Sequence, residues 1–272
     1  MRTDDAVNTT PERDTANAGK VIPQMASAGF LYPGYSAEDD YPLFEELLGS
    51  DVQLHLVHTL MREDAHRVDA LLDVGGPDVL AAGAHELRDR DVDAVVWACT
   101  SGSFVFGWEG AKEQVAGVRE AAGAPASSTS FAFVNAIRHL GLRRVAIAAT
   151  YPADVAQKFV EFLRDADIEV AAIASRGIVT AAEVGTLPAA DVLDFVAAND
   201  HQDAEAVLVP DTALHSAAIL DDLERRLGKP VLTANQVSVW EGLRLAGATA
   251  PRDGLGSLFR ADTAVEAAVA VG

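Results

Sequence analysis

The sequence predicts an α/β protein built from two related lobes that face one another across a cleft. Three observations carry this reading. Short apolar runs alternate with helical patterns along the chain, the two halves echo each other, and the distinctive polar residues fall where the apolar runs end.

The apolar runs lie at 27–31 (SAGFL), 52–57 (VQLHLV), 92–97 (VDAVVW), 145–149 (VAIAA), 168–174 (IEVAAIA), 205–209 (EAVLV) and 230–232 (PVL). Their near-continuous apolar character marks strands covered on both faces. Between them, amphipathic periodicity predicts helices at 41–48, 77–90, 109–122, 128–140, 153–166, 188–198, 214–227 and 235–246. Repeated strand-helix-strand order with buried strands implies parallel sheets with helices on both faces.

The echo is specific. DAVVWACTSGS at 93–103 resembles EAVLVPDTALH at 205–215, and LYPGYSAEDDYPLFEELL at 31–48 resembles TYPADVAQKFVEFL at 150–163. Each half runs from an apolar strand through Tyr-Pro into an acidic helix, and later ends a strand on Cys-Thr or Asp-Thr. Two matches in the same order indicate a duplicated lobe. The expected division is a first lobe of 20–128 joined by 232–272 and a second lobe of 129–231. The opening segment 1–19 (MRTDDAVNTTPERDTANAG) has no apolar core and reads as a disordered tail rather than a signal peptide.

Composition excludes several function classes. Asp and Glu number 41 against 21 Lys and Arg, a net charge of −20, so a basic patch for nucleic acid is not expected. No apolar run approaches the roughly 18 residues of a membrane span. A single cysteine offers no disulfide framework and fits the cytoplasm.

That cysteine, Cys99, stands where a strand breaks into Thr100, Ser101, Gly102 and Ser103. Ligand sites of doubly wound sheets lie beyond the carboxyl ends of the strands, and Tyr32, Cys99, Tyr151 and Asp211 all occupy such ends. A pseudo-twofold arrangement puts Cys99 on one wall of the cleft and Asp211 on the other. Free amides and hydroxyls after Cys99 can cradle a carboxylate, and the same field would lower the thiol from about 8.5 toward neutrality. A packed apolar cysteine at a strand end is the competing reading. His55, His58 and His66 cluster around the second strand, but metal ligation needs a further convergent ligand and no metal site is expected. Arg62 could reach a substrate carboxylate from its loop, with a solvated arginine the favoured reading, and His215 could lie one helical turn from Asp211, with an exposed helix histidine the favoured reading. Asn235 and Gln236 are expected to satisfy buried backbone groups where the lobes join.

The segments ACTSGS (98–103), ATYPADV (149–155), VPDTAL (209–214) and KPVLTANQVSVWEGLRLAG (229–247) resemble the aspartate/glutamate racemase superfamily, in the branch of maleate cis-trans isomerase and arylmalonate decarboxylase. The likeness runs from about residue 27 to residue 260. It implies two pseudo-symmetric α/β lobes, each a four-stranded parallel sheet flanked by helices, with the active site in the cleft between them. It also implies no cofactor, a small carboxylic-acid substrate and a homo-oligomer. Cys99 stands where the isomerase carries a nucleophilic cysteine, and Tyr151 where a tyrosine binds or polarises a carboxylate. Thr100 and Ser101 fall where relatives hold a carboxylate or an enediolate-like intermediate, and Thr212, Tyr32 and Pro33 complete the expected binding positions. Asp211 replaces a second cysteine that many relatives carry, which disfavours two-thiol racemisation. The decarboxylase relatives usually keep their one cysteine in the other lobe. The expected function is therefore a cofactor-independent, maleate-isomerase-like reaction on a small unsaturated acid, with Cys99 as nucleophile. A decarboxylase with Cys99 as proton donor, crowded by an apolar wall at Phe104–Phe106, is the alternative. A non-catalytic dicarboxylate binder is the third.

Overall fold

Strands that are apolar at successive positions need cover on both faces. The computed structural model, which describes residues 25–261, supplies it by burying every residue of β3 (Ala94–Trp97) and β7 (Ala206–Val209). The expected tail at 1–19 lies outside the described residues. The first sheet contains β1 (Ala26–Pro33), β2 (Val52–Thr59), β3 and β4 (Ala126–Ser128), in the order β2-β1-β3-β4. The second contains β5 (Arg144–Ala149), β6 (Glu169–Ser175), β7 and β8 (Val231–Thr233), in the order β6-β5-β7-β8. All pairings are parallel, and the two orders are the same, so each lobe repeats one winding.

Helices α1 (Asp40–Leu48), α2 (Val68–Val74), α3 (Pro77–Arg88), α4 (Ser101–Phe104) and α5 (Gly107–Ala122) connect the first strands. Helix α6 (Thr129–His139) leads into the second lobe, which carries α7 (Ala153–Asp165), α8 (Ala181–Gly185), α9 (Ala189–Ala198) and α10 (Leu220–Leu227). The chain then forms α11 (Ala234–Leu245) and α12 (Gly256–Arg260), with α11 packed against β1, β3 and α6.

The strand period of two sorts side chains between separate cores. Phe30, Val96, Ile147 and Leu208 enter one apolar cluster shared by both lobes, whereas Leu31, Trp97 and Cys99 face a first-lobe cluster covered by α3 and α5. Val207 and Val209 join a third cluster on the outer face of the second lobe. The cover is tight at Gly29, where a Cβ would sit 2.8 Å from Leu87 of α3.

Besides the short helices α2, α4, α8 and α12, for which no helix was expected, a strand and a helix depart from expectation. Strand β4 is Ala-Ser-Ser, too short and polar to register as an apolar run, and it forms because Val95, Val96 and Trp97 offer it a paired edge. The helix expected over 214–227 begins only with a 3-10 turn at Ala217–Ile219, then α10. The delay has a cause in the other lobe. The buried carboxylate of Asp40, at the start of α1, accepts from the Ser216 and Ala217 amides and from Asn235 Nδ2, at 2.8, 3.3 and 3.0 Å. The amides that would open a regular helix are thereby held by a side chain 176 residues away.

Burial pushes the Asp40 carboxyl above its ordinary range, and the donated hydrogen bonds oppose that rise. Removing the acceptor would strand three buried donors at the lobe junction. Asp40→Ala is expected to cost about 3 kcal/mol or more in urea unfolding, with Asp40→Asn intermediate. A loss below about 1 kcal/mol would show that the carboxylate does not tie the lobes together.

Candidate active site

The chain after β3 turns immediately into α4, and this turn sets the thiol. Cys99 is buried, with 5% of its surface exposed. The Gly102 amide donates to its Sγ at 3.3 Å, and Ser101 Oγ lies 3.9 Å away. The turn is fixed from behind. Gln114 of α5 donates to the carbonyls of Gly75 and Gly102, Ser130 Oγ donates to the Thr100 carbonyl, and Ser103 Oγ donates to Ser128 Oγ. Gly102 lets the turn close tightly here, since a Cβ would lie 3.0 Å from the Cys99 sulfur and 3.2 Å from Trp97.

A small cavity opens at this point, and Cys99, Ser101, Asp211, Thr212, Tyr32 and Pro33 all line it. Thiol and carboxylate thus share one space, brought together from the ends of β3 and β7. Asp211 is buried and accepts from Thr150 Oγ1 and from the Ala213 amide. A larger groove between α3 and α5 holds neither group and lies on the far face of the first sheet.

The tyrosines at the ends of β1 and β5 stand beside the site, with their hydroxyls hydrogen-bonded to backbone. Tyr32 Oη donates to the Thr212 carbonyl across the cleft at 2.9 Å and accepts from the Ala37 amide at 3.0 Å. Tyr151 Oη donates to the Pro210 carbonyl, and its ring packs between His66 and Phe104. Burial raises both phenols above their ordinary value. Thr100 is fully buried and Ser101 lines the cavity, so in this loop Ser101 is the hydroxyl that meets it.

The sequence reading missed the segment 60–67, which crosses from the first lobe to the second. Asp64 accepts from the amides of Ala181 and Ala182 at the start of α8, at 2.7 and 2.9 Å. The His66 amide donates to the Val179 carbonyl, and His66 Nδ1 lies 3.0 Å from the Ile178 carbonyl. Met61, Glu63, Asp64, Ala65 and His66 of this strap form one side of the cavity. The available signal was its position, the loop following the carboxyl end of β2.

The surroundings of the other candidate residues decide their roles. Arg62 faces solvent and pairs with Asp73 and Asp78. His215 bonds Asp39 at 2.7 Å instead of Asp211, because the chain after Asp211 is a turn and not a helix. Phe104 packs into the shared core against Tyr151 and Phe159, and Phe106 borders the outer groove, so neither forms a wall of the cavity. The apolar wall is instead Leu71 and Val74 of α2 with Met61 and Pro33. Asn235 and Gln236 do serve buried backbone, donating to the carbonyls of Leu214 and Leu255. Among the described residues, no group of three or more His, Cys, Asp or Glu is arranged to hold a metal, and no helix is long and apolar enough to cross a membrane.

Residues 74–259 match the family model of arylmalonate decarboxylase. The chain belongs to the arylmalonate decarboxylase family. The arylmalonate decarboxylase of Bordetella bronchiseptica is 31% identical over 179 residues, covering 65% of this chain and 75% of that one. A maleate isomerase of Nocardia farcinica (strain IFM 10152) is 26% identical over 188 residues, covering 67% and 75%. In three dimensions, the maleate isomerase Iso of Pseudomonas putida S16 aligns with a TM-score of 0.80 at 20% identity, covering 88% of this chain and 99% of that one. These relatives make the chain a member of an enzyme family of decarboxylases and isomerases with two four-stranded parallel lobes.

The family's two chemistries ask different things of a thiol, and the environment of Cys99 bears on which is served. Burial pushes the Cys99 thiol up to about 11, against the lowering effect of the Gly102 amide and Ser101 and with a small further push from Asp211. The expected descent toward neutrality does not occur, because desolvation of the thiolate outweighs the two donors. Alkylation of Cys99 by iodoacetamide should accordingly rise with pH through about 11 in the folded protein. In urea the rise should come near the ordinary cysteine value of about 8.5. A folded-state midpoint below 8 would mean that the donors dominate.

Proposed function

We propose that the protein decarboxylates a small malonate-type acid without a cofactor, with Cys99 protonating the carbanion. The observation that carries this reading is the setting of the thiol: Cys99 is buried in the same cavity as Asp211, and burial raises its proton affinity, which makes Sγ–H a proton donor and a poor nucleophile. Supporting it are the family match and the apolar face of Leu71, Val74, Met61 and Pro33, which suits the organic substituent of a substituted malonate. One carboxylate of the dianion would lie against Ser101 and the amides of the α4 turn. The bond from the α-carbon to the other breaks heterolytically and releases carbon dioxide, and its electron pair forms an enediolate on the retained carboxylate. Cys99 then gives its proton to the α-carbon, leaving a thiolate that the Gly102 amide stabilises until solvent returns the proton. Asp211, on the opposite wall and already accepting two hydrogen bonds, shapes the far side of the planar intermediate. Protonation from one wall alone makes a single configuration at the new centre.

One observation favours maleate isomerisation as the second reading: the Gly102 amide points at Sγ and would stabilise a thiolate able to add to a carbon–carbon double bond. The pH dependence separates the two. For decarboxylation, kcat on phenylmalonate should hold level through neutral pH and fall as pH rises through about 11, because the proton donor is lost. For isomerisation, fumarate formation from maleate should rise over the same range, with a succinyl adduct on Cys99. In D2O the decarboxylation product should carry one deuteron at the α-carbon in one configuration, and Cys99→Ser should lower its formation by about 100-fold or more. Fumarate and adduct without carbon dioxide from any malonate would overturn the proposal.

A further inference from the structure

The geometry points to His66 as the group that selects a doubly charged substrate, by pairing its imidazolium with one carboxylate of the acid bound beside Cys99. This rests on the malonate-type reading of the same cavity and names the residue that would distinguish a dicarboxylate from a monocarboxylate.

The argument begins with charge. Burying two carboxylates beside a thiol and Asp211 requires compensation, since an unpaired buried charge is strongly disfavoured. Among the described residues the lining contains no lysine or arginine, and His66 is the one side chain there able to carry a positive charge. Its acidic neighbours already have donors. Asp64 accepts the amides that open α8, Asp211 accepts Thr150 and Ala213, and Glu63 is paired with Arg67. The imidazole is therefore not consumed by a carboxylate of the protein.

Its placement suits the role. His66 is 8% exposed and held at three points: its amide to the Val179 carbonyl, its Nδ1 to the Ile178 carbonyl, and its ring edge-on to Tyr151 with centroids 5.0 Å apart. With Nδ1–H donated to Ile178, Nε2 is the nitrogen available to a ligand in the cavity that His66 lines. On protonation both nitrogens donate, one to the backbone and one to the substrate. The ionisable groups around the ring are Glu63, Asp64 and Arg67 on its own strap, Tyr32 and Cys99 of the first lobe, and Tyr151 and Asp211 of the second. Glu183 of α8 faces solvent. An arriving dianion adds negative charge beside the imidazole and favours its protonated form, so binding and proton uptake are coupled. Affinity for the dianion is therefore greatest when the imidazole carries its second proton.

Two variants separate this role from a structural one. His66→Asn keeps an amide able to reach the Ile178 carbonyl but removes Nε2, and His66→Gln keeps a neutral donor toward the cavity without the charge. Binding is read by calorimetry with malonate, which has no substituent to stabilise a carbanion, and with acetate as the singly charged probe. Malonate affinity should fall about 10- to 100-fold in His66→Asn, the range for one charge-assisted hydrogen bond, while acetate affinity changes less than about threefold. His66→Gln should recover part of the malonate affinity without its pH dependence. Carbon-detected NMR of the His66 ring should show its titration moving to higher pH when malonate is added. Equal losses for both acids, or an unmoved ring titration on malonate binding, would overturn the assignment. Turnover of phenylmalonate is scored separately: decarboxylation with unchanged malonate binding in His66→Asn defeats the role of His66 alone. Selective loss of malonate binding in a protein that decarboxylates nothing would support that role and defeat the proposed reaction.

Discussion

Carboxylates of the first lobe hold chain starts of the second, and the closed cleft depends on that arrangement. Asp40 takes the amides of Ser216 and Ala217, and Asp64 takes those of Ala181 and Ala182. Each places negative charge where several backbone donors point outward with no partner of their own, a favourable interaction that also removes the cost of burying them. The two ties lie on different sides of the active site, one beneath it where α1 meets the turn after β7, the other across its mouth. Together with Tyr32 reaching the Thr212 carbonyl, they fix how the end of β3 faces the end of β7. The apolar core shared by the lobes holds the two sheets together, and these polar ties add a directional constraint at the rim where Cys99 and Asp211 meet.

Closure has a chemical consequence. The turn Cys99–Ser103 is equipped to stabilise a thiolate, with an amide and a hydroxyl near the sulfur. In an open, hydrated cleft those donors would lower the thiol's proton affinity, as the sequence suggests. The strap over residues 60–67 and the apolar side chains of α2 exclude water instead, and desolvation raises the thiol to about 11. The same donors remain poised for the moment when charge reaches the sulfur. A site of this kind holds its proton firmly before reaction and tolerates the anion afterwards, which suits a donor that must release a proton only to a strong carbon base.

Most of the scaffold was legible because it rests on local signals. The apolar runs located seven strands of the two sheets, and the Tyr-Pro and strand-end repeats anticipated that both sheets share one winding order. Strand β4 was not legible, since Ala-Ser-Ser has no apolar signature and owes its conformation to its neighbour β3. The chain after Asp211 failed as a helix because its amides are claimed from α1, a contact that no window of local periodicity contains. For the site, strand-end position was enough to bring Cys99, Ser101, Asp211, Thr212, Tyr32 and Pro33 to one cavity. It could not show that the hydroxyls of Tyr32 and Tyr151 are hydrogen-bonded to carbonyls, or that Thr100 faces inward. Those are questions of side-chain direction, settled by partners more than fifty residues away.

The strap explains why the charge problem of the site was the least legible part. Read along the chain, REDAHR at 62–67 is a mixed-charge loop, and its histidine has no distinguishing context. Folded, its charges separate by function. Arg62 and Arg67 turn to solvent-exposed carboxylates, Asp64 anchors to α8, and His66 is drawn under the second lobe by the carbonyls of Ile178 and Val179. The loop thereby sorts two arginines out of the cavity and one histidine into it. A permanently charged arginine at that position would hold a product monocarboxylate as firmly as part of the substrate, whereas an imidazole can lose its proton once neutral carbon dioxide has left and protonation of the α-carbon has removed the second negative charge. In a protein carrying a net charge of −20, release of an anionic product is already favoured by the field, and a site whose one cationic group can be neutral adds nothing to retain it.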